Sequence, residues 1–238
     1  MKLDTLHALA TARTARQPVV RATRLADGAE ALIYADRTEG ALSTDGAIVA
    51  AARRALADGR STTVEIAGGM VFLHTQTPAS RLIVVGAVHI AQALAPMASM
   101  LEFDVTVIDP RRSFASDARF PAVRVLQDWP DDGLNAVGVD AATAVVTLTH
   151  DPKLDDPALE VALRSEAFYV GSLGSKRTHA KRRERLLAAG ITDAQFARIQ
   201  GPVGLSIGAK SPAEIAVSIL AQIIEVRARR AEALQAAA

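Results

Sequence analysis

Three short stretches of the chain combine glycine, small polar residues and charged residues in spacings that favour anion binding. The first is Gly86-Ala87-Val88-His89-Ile90-Ala91, which follows a run of apolar residues ending at Val85. It partly matches the Gly-x-Gly-x-x-Gly/Ala turn of dinucleotide-binding folds, in which the first glycine makes the tight turn and the last small residue packs the helix on the sheet. Gly86 and Ala91 satisfy the outer positions, whereas Val88 stands where the pattern has its middle glycine.

A carboxylate follows this turn at the spacing of a ribose-binding residue. Asp109 ends the next apolar run, 23 positions after Gly86 (109 − 86), and the pattern places such a residue about 20 positions on. Arg111 and Arg112 come next and could receive a 2′-phosphate or another anion. The ligand stays open: either a nicotinamide cofactor, whose phosphates the Val88 side chain would obstruct, or a turn of this type without a bound dinucleotide.

The second stretch, Thr149-His150-Asp151, follows another predicted strand. Ligands of parallel sheets gather beyond the carboxyl ends of the strands, so a residue here is well placed for binding. His150 could donate a proton or bind an anion, with Asp151 beside it. The alternative of comparable weight is an aspartate that turns the chain before Pro152 and a histidine at the surface.

The third stretch is Gly171-Ser172-Leu173-Gly174-Ser175-Lys176-Arg177, at the start of a predicted helix. Small residues there expose backbone amides, and the helix dipole favours an anion. Lys176 and Arg177 occupy the first turn, where the dipole disfavours cations, and a bound anion would relieve that conflict. The stretch does not match the pattern Gly-x-x-x-x-Gly-Lys, so it is not a P-loop.

More basic residues follow on the same predicted helix, namely Lys181, Arg182, Arg183 and Arg185. The chain has 27 basic and 26 acidic residues, a net charge of +1, and 4% aromatic residues. Nucleic-acid binding proteins usually combine a basic surface with aromatic side chains that stack on bases. We therefore interpret this run as a solvated helix face and expect no nucleic-acid partner.

The composition excludes several kinds of chemistry. Cysteine is absent, which rules out disulfides, thiolate zinc sites, cysteine nucleophiles and cysteine-ligated iron–sulfur clusters. The five histidines have no metal-ligand spacing, so no metal site is expected. Residues 82–101 carry no charge, but Gly86 and Pro96 interrupt them, which predicts strand, turn and helix rather than a membrane span. No signal peptide is apparent, and we expect a cytoplasmic protein.

Periodicity predicts two domains. Residues 1–78 mix helices and strands without regular alternation, including a helix over 46–57 and a hairpin at Gly68-Gly69, as in a small α+β domain. Polar residues Thr75–Ser80 are the predicted linker. In residues 79–238, helices alternate with short apolar strands, which indicates an α/β Rossmann-like parallel sheet covered on both faces. The predicted strands cover 82–85, 105–108, 123–126, 144–148 and 168–170.

The helices of the second domain also carry recognisable signals. Ile90, Leu94, Met97 and Leu101 recur at helical spacing after the first strand. Asp156-Pro157 is predicted to open a helix, since Pro is tolerated in the first turn. Ser211-Pro212-Ala213-Glu214 has the form of a capping box that starts the last helix.

Taken together, these stretches resemble the XdhC/CoxI family, accessory factors of xanthine dehydrogenase and related molybdenum hydroxylases. The resemblance is dense over about residues 80–224. It is carried by residues 86–94, Val105-Thr106-Val107-Ile108-Asp109, Arg119-Phe120-Pro121, residues 149–155, residues 169–175 and Gly201-Pro202-Val203-Gly204-Leu205.

The resemblance implies a Rossmann-like domain after a small N-terminal domain. It also implies a protein that binds molybdenum cofactor, protects it while its terminal sulfur is installed, and delivers it to a molybdenum hydroxylase apoenzyme. A cysteine desulfurase and a homodimer are further implied partners. A carrier needs neither a catalytic base nor a redox cysteine, so we expect an accessory protein rather than an enzyme, and the glycine and basic loops are the predicted cofactor-binding residues.

The chain departs from the family's pattern in places. Val88 replaces the middle turn glycine, a Gly-Ser-Ser-Pro-Arg stretch is missing near Leu25, and a Ser-Gly-Gly-Cys stretch is reduced to Ser43-Thr44-Asp45-Gly46-Ala47. Two alternatives therefore remain open. One is an NAD(P)-dependent oxidoreductase, which Val88 disfavours, and the other is a non-catalytic interaction protein with a vestigial nucleotide cleft.

Overall fold

The computed structural model describes residues 3–66 and 69–236, and side chains as far as Ala233. The chain divides into two compact units. The first runs to Pro78 and includes the C-terminal residues from Ala228 onward, and the second comprises Ala79–Arg227. Within the described ranges, no helix combines the length and apolar character needed to cross a membrane.

The first unit is a five-stranded antiparallel sheet with helices. Its order is β3-β2-β1-β5-β4, and the second helix begins where the Asp45 carboxylate caps its amides. The predicted hairpin joins β4 to β5, although Gly68 of its turn lies outside the described residues. The elements are α1 Leu3–Thr14, β1 Val19–Arg24, β2 Glu30–Ile33, β3 Thr38–Gly40, α2 Gly46–Asp58, β4 Thr62–Ile66 and β5 Gly69–Gln76.

The second unit contains a six-stranded sheet in which every described strand pair is parallel. The elements are β6 Arg81–Val85, α3 His89–Met100, β7 Asp104–Ile108, β8 Arg124–Leu126, α4 Pro130–Val137, β9 Thr143–Thr147, α5 Pro152–Arg164, β10 Tyr169–Ser172, α6 Lys176–Ala188, α7 Asp193–Phe196, β11 Ile199–Gln200 and the part of α8 Pro212–Ala236 that ends at Arg227. The spatial order is β8-β7-β6-β9-β10-β11. Counted along this unit, that order is 3-2-1-4-5-6, the doubly wound order in which ligands bind beside the central pair of strands.

Both faces of this sheet are covered, as the continuous apolar strands predict. All residues of β6 and β9 are buried. Leu82 and Val84 belong to an apolar cluster shared with α3 and α8, whereas Ile83 and Val85 belong to a cluster shared with α5. The predicted α/β class, with a small α+β region preceding the parallel sheet, is confirmed.

Several local predictions were wrong. Helix α5 begins at Pro152, not at Pro157, because the first of two Asp-Pro pairs supplies the cap: the Asp151 carboxylate accepts the Lys153 N–H. The predicted linker starts too early, since β5 continues to Gln76 through its ladder with β1. Helix α4 and strand β11 were not predicted at all.

The buried face of α3 also differs from the prediction. Leu94 is buried as expected, but Leu101 is 43% exposed. The other buried positions are alanines, Ala91, Ala95 and Ala98. Small side chains let the helix approach the sheet closely, so the largest apolar residues do not mark the most buried face.

Candidate functional site

The first glycine of the turn after β6 lies at the central pair of strands. Gly86 has φ +109°, and a β-carbon there would lie 2.6 Å from Cγ2 of Thr149, which follows β9. The turn and the end of β9 are therefore in direct contact, as is expected of a ligand-binding edge. Val88, which replaces the middle glycine, is half-buried and packs against the apolar cluster of α3 and α8.

The Asp109 carboxylate is fully engaged by the protein. It is buried and accepts the Ala87 N–H at 2.8 Å and the Arg111 N–H at 2.9 Å. The Arg111 guanidinium binds it through two further hydrogen bonds of 2.9 and 2.7 Å and lies over the Phe114 ring. A ribose could reach this carboxylate only by displacing Arg111, so the pair serves to fix the turn.

These contacts predict how stability depends on pH. Burial raises the pKa of Asp109, but the hydrogen bonds from Arg111 and Ala87 outweigh it and hold the pKa below its ordinary 3.8. A lowered folded pKa adds stability that is present above the ordinary pKa and is lost as the pH falls through the folded value. In urea unfolding, the stability difference between wild type and Asp109→Asn should be constant from pH 7 to about 5 and shrink below about pH 4. A difference that grows as the pH falls would contradict this assignment.

A basic cavity of about 220 Å³ lies beside the ends of β9 and β10. Four cationic side chains and one carboxylate line it. We name it the Arg182 cavity, and its lining residues are His150, Pro152, Asp155, Arg177, Thr178, Lys181, Arg182 and Arg185.

The loop after β9 forms one wall of the Arg182 cavity. His150 is exposed and has a left-handed backbone, with φ +61°. Asp151 caps α5 and turns the chain before Pro152, and His150 lies at the surface, as the structural alternative for this pair predicts. His150 also lines the cavity. The Thr149 hydroxyl donates to the buried Asp155 carboxylate at 2.7 Å. Burial raises the pKa of Asp155, although Thr149 and Arg182 act in the opposite direction.

Helix α6 forms the other wall. Ser175 caps it by accepting the Thr178 N–H at 3.1 Å. Arg182 is only 2% exposed, and its Nη2 donates to the Leu173 carbonyl at 3.1 Å and lies 3.5 Å from Asp155. Its Nε and Nη1 find no hydrogen-bond acceptor within the described part of the chain. Burial lowers the pKa of Arg182.

The remaining predicted residues do not line the cavity. Ser172 is buried in a hydrogen bond with Thr147, and Gly171 is packed so closely that a β-carbon would lie 2.6 Å from Val203. The residues that do not line the cavity are Gly86, Ala87, Val88, His89, Asp109, Arg111, Asp151, Gly171, Ser172, Gly174, Ser175 and Lys176. Of the site residues predicted from the sequence, His150 and Arg177 line the Arg182 cavity together.

Three cavity residues were missed in the sequence because they were interpreted as a solvated face, which is wrong for Arg182. Lys181, Arg182 and Arg185 all line the cavity. A signal was present: Arg182 stands four residues before the buried Leu186, and such residues share a helix face. An arginine on an inward face requires a partner or a ligand.

Metal binding receives no support from the geometry. Among residues 3–66 and 69–236, no group of three or more histidine and acidic side chains could hold a metal ion. The side chains at this edge of the sheet can act electrostatically. They form a cationic, hydrogen-bonding cavity that suits an anionic group.

The fold and this edge define a doubly wound α/β protein with a cavity lined by cationic side chains. Residues 82–223 match the family model for the XdhC Rossmann domain, which is more than half of the chain. The chain therefore belongs to the XdhC family, as its sequence resemblance predicts.

Two similar proteins carry names that refer to molybdenum cofactor or to xanthine dehydrogenase. The chain is 32% identical over 155 residues to the molybdenum cofactor insertion chaperone PaoD of Escherichia coli (strain K12), a match that covers 65% of this chain and 42% of PaoD. It is 34% identical over 160 residues to a probable xanthine dehydrogenase component of Bacillus subtilis (strain 168), covering 67% and 46% respectively. These matches span less than half the length of either relative.

A solved structure gives the same architecture. The crystal structure described as a xanthine dehydrogenase from Bacillus halodurans superposes with a TM-score of 0.71 at 28% sequence identity. The match covers 97% of this chain and 68% of that chain.

Proposed function

We propose that this protein is an accessory factor that binds molybdenum cofactor and assists its sulfuration and insertion into a xanthine-dehydrogenase-type molybdenum hydroxylase. The observation that carries the proposal is the Arg182 cavity, a built cationic site at the ligand-binding edge of an XdhC-family fold. The name of PaoD, a cofactor insertion chaperone, supports it. The acceptor would be the hydroxylase apoenzyme, with a cysteine desulfurase as sulfur donor and a homodimer as the working assembly.

The residues present fit the phosphate of such a cofactor. A phosphate carries negative charge and several acceptor oxygens, and the cavity is lined by four cationic side chains. Sites that enclose a whole drug-sized ligand measure about 300–1,000 Å³, so a cavity of about 220 Å³ does not enclose the whole cofactor, and we assign the phosphate to it because of its charge.

The residues suit a carrier that must also release its cargo. Arg177 and Lys181 are exposed, so water screens their attraction for an anion. A partly exposed site binds reversibly, and the cofactor would leave intact because no residue here acts on it covalently. Nicotinamide chemistry is not supported, since Arg111 occupies the carboxylate that a ribose would use.

The experiment is an anaerobic titration of the purified chain with molybdenum cofactor. We expect the double variant Arg177→Gln/Lys181→Gln to bind the cofactor at least about tenfold more weakly, because each removed charge weakens a charge-assisted contact. Arg183→Gln is the matched control: it lies on the same helix, pairs with Asp193 and does not line the cavity.

Two results decide the matter. Weakened binding in the double variant, together with reduced activation of a hydroxylase apoenzyme, supports the proposal. Failure of the folded wild-type chain to bind the cofactor overturns it, and so does equal loss in Arg183→Gln, which would show a general charge effect.

A further inference from the structure

A cavity of about 590 Å³ lies in the first unit, between helix α1 and the antiparallel sheet. One wall is a single face of α1, since Leu6, Leu9, Ala10 and Arg13 follow helical spacing. The floor comes from strands β1 and β5. We name it the α1 cavity. Small-molecule sites measure about 300–1,000 Å³, so its size suits a small organic ligand.

The floor of the α1 cavity is polar because of strand alternation. Val20 and Ala22 belong to the apolar cluster shared with α2, so Arg21 lies on the opposite face of β1, toward α1. His74 is directly opposite Arg21 in the ladder of β1 with β5, which brings the two side chains close together. Gln76 is two positions further along β5 and shares that face.

Helix α1 packs tightly on only part of this face. Leu9 and Ala12 are buried in an apolar cluster with Val19 and Leu32. Leu6 stands three residues before Leu9 and lines the same cavity, but it is 46% exposed. The α1 cavity therefore combines an apolar wall, part of which is in contact with water, and a polar floor. A ligand that covers Leu6 would remove apolar surface from water, which favours binding.

The charge of the α1 cavity suits a singly charged anion. Arg13 and Arg21 line it, and its described lining includes no carboxylate. Glu30 lies 3.8 Å from the Arg21 guanidinium and compensates part of that charge. The two arginines and Glu30 together leave a formal charge of +1. The Arg21 side chain is still 20% exposed, so a ligand can reach it.

The geometry points to a second ligand site: we propose that the α1 cavity binds a small organic monocarboxylate. Its carboxylate lies among Arg13, Arg21 and His74, whose N–H groups are donors to carboxylate oxygens. Its apolar body lies against Leu6 and Leu9. The site belongs to the first unit and is independent of the proposed function, which uses the Arg182 cavity of the second unit.

The test is an NMR titration of the whole ¹⁵N-labelled chain with octanoate, 1-octanol and acetate. Octanoate has both an apolar body and a carboxylate, whereas 1-octanol lacks the charge and acetate lacks most of the body. We expect octanoate to bind and to shift the amide signals of α1, β1 and β5. The other two compounds should bind at least about tenfold more weakly.

A matched pair of double variants localises the site. Leu6→Ser/Arg13→Gln changes two exposed side chains of the α1 cavity and should weaken octanoate binding at least about tenfold. Leu3→Ser/Arg53→Gln makes the same changes at exposed positions of the first unit that do not line the cavity, and should bind as the wild type does. Because all four side chains are exposed, both variants should fold.

The outcomes are decisive for this site and separate from those for the proposed function. Loss of octanoate binding in the cavity variant alone supports the proposal. It is overturned if octanoate does not bind, if 1-octanol binds equally well, or if both double variants lose binding equally. Arg177→Gln/Lys181→Gln should bind octanoate normally. A loss there would place octanoate in the Arg182 cavity and overturn the α1 site, whereas the cofactor titration decides the proposed function independently.

Discussion

Replacing Asp155 with alanine should lower the free energy of unfolding by about 3–5 kcal/mol, because it leaves the Arg182 charge buried without its partner. Both side chains are almost fully enclosed, at 2% exposure for Arg182 and 1% for Asp155. The substitution also removes the acceptor of the Thr149 hydroxyl. Urea unfolding at pH 7 measures the change.

The adjacent acid provides a matched control. Asp156 pairs with Arg185, whose side chain is 39% exposed, and such pairs contribute up to about 1 kcal/mol. Asp156→Ala should therefore cost much less than Asp155→Ala. The double variant Asp155→Leu/Arg182→Met should recover most of the loss, since a buried pair can be replaced by apolar residues. A cost for Asp155→Ala equal to that of Asp156→Ala would show that the buried pair is not what stabilises this wall.

Gly86→Ala should lower the free energy of unfolding by about 3 kcal/mol, through backbone strain and overpacking together. The residue has φ +109°, and its new β-carbon would lie 2.6 Å from Cγ2 of Thr149. A displaced Thr149 would disturb Asp155, so the affinity for molybdenum cofactor should fall as well. Urea unfolding and calorimetric titration measure the two effects.

Two comparisons separate strain from contact. Gly28 has φ +70° with no atom near its added β-carbon, so Gly28→Ala should show backbone strain alone, about 1 kcal/mol. Thr149→Ser removes the clashing methyl group but keeps the hydroxyl, and should rescue part of Gly86→Ala. Equal costs at the two glycines, without rescue by serine, would contradict the contact.

Much of the fold could be predicted because the sheet is buried on both sides. Its strands are short runs of Val, Ile and Leu, and Gly86 marks the turn at which the central strand ends. The residues at which helices start were harder to predict where the start depends on a capping side chain. Two Asp-Pro pairs compete to start α5, and only the fold decides that Asp151 supplies the cap.

The site was less predictable than the fold. His150 and Arg177 could be identified because they lie in loop and first-turn positions, but Arg182 was assigned to solvent because charged residues on basic helices usually face water. Its burial depends on Asp155, which comes from a separate helix 27 positions away. Such a pairing of distant residues leaves no local signal beyond the helical spacing to Leu186.

Competition between pyrophosphate and molybdenum cofactor shows whether the Arg182 cavity holds the cofactor's phosphate. The cofactor is titrated anaerobically into the whole chain at increasing pyrophosphate concentrations. We predict that the apparent dissociation constant of the cofactor rises in proportion to pyrophosphate, and that this dependence is lost in Arg177→Gln/Lys181→Gln. Simultaneous binding of both ligands, with the cofactor's affinity unchanged at saturating pyrophosphate, would show that the cofactor's phosphate does not occupy the Arg182 cavity.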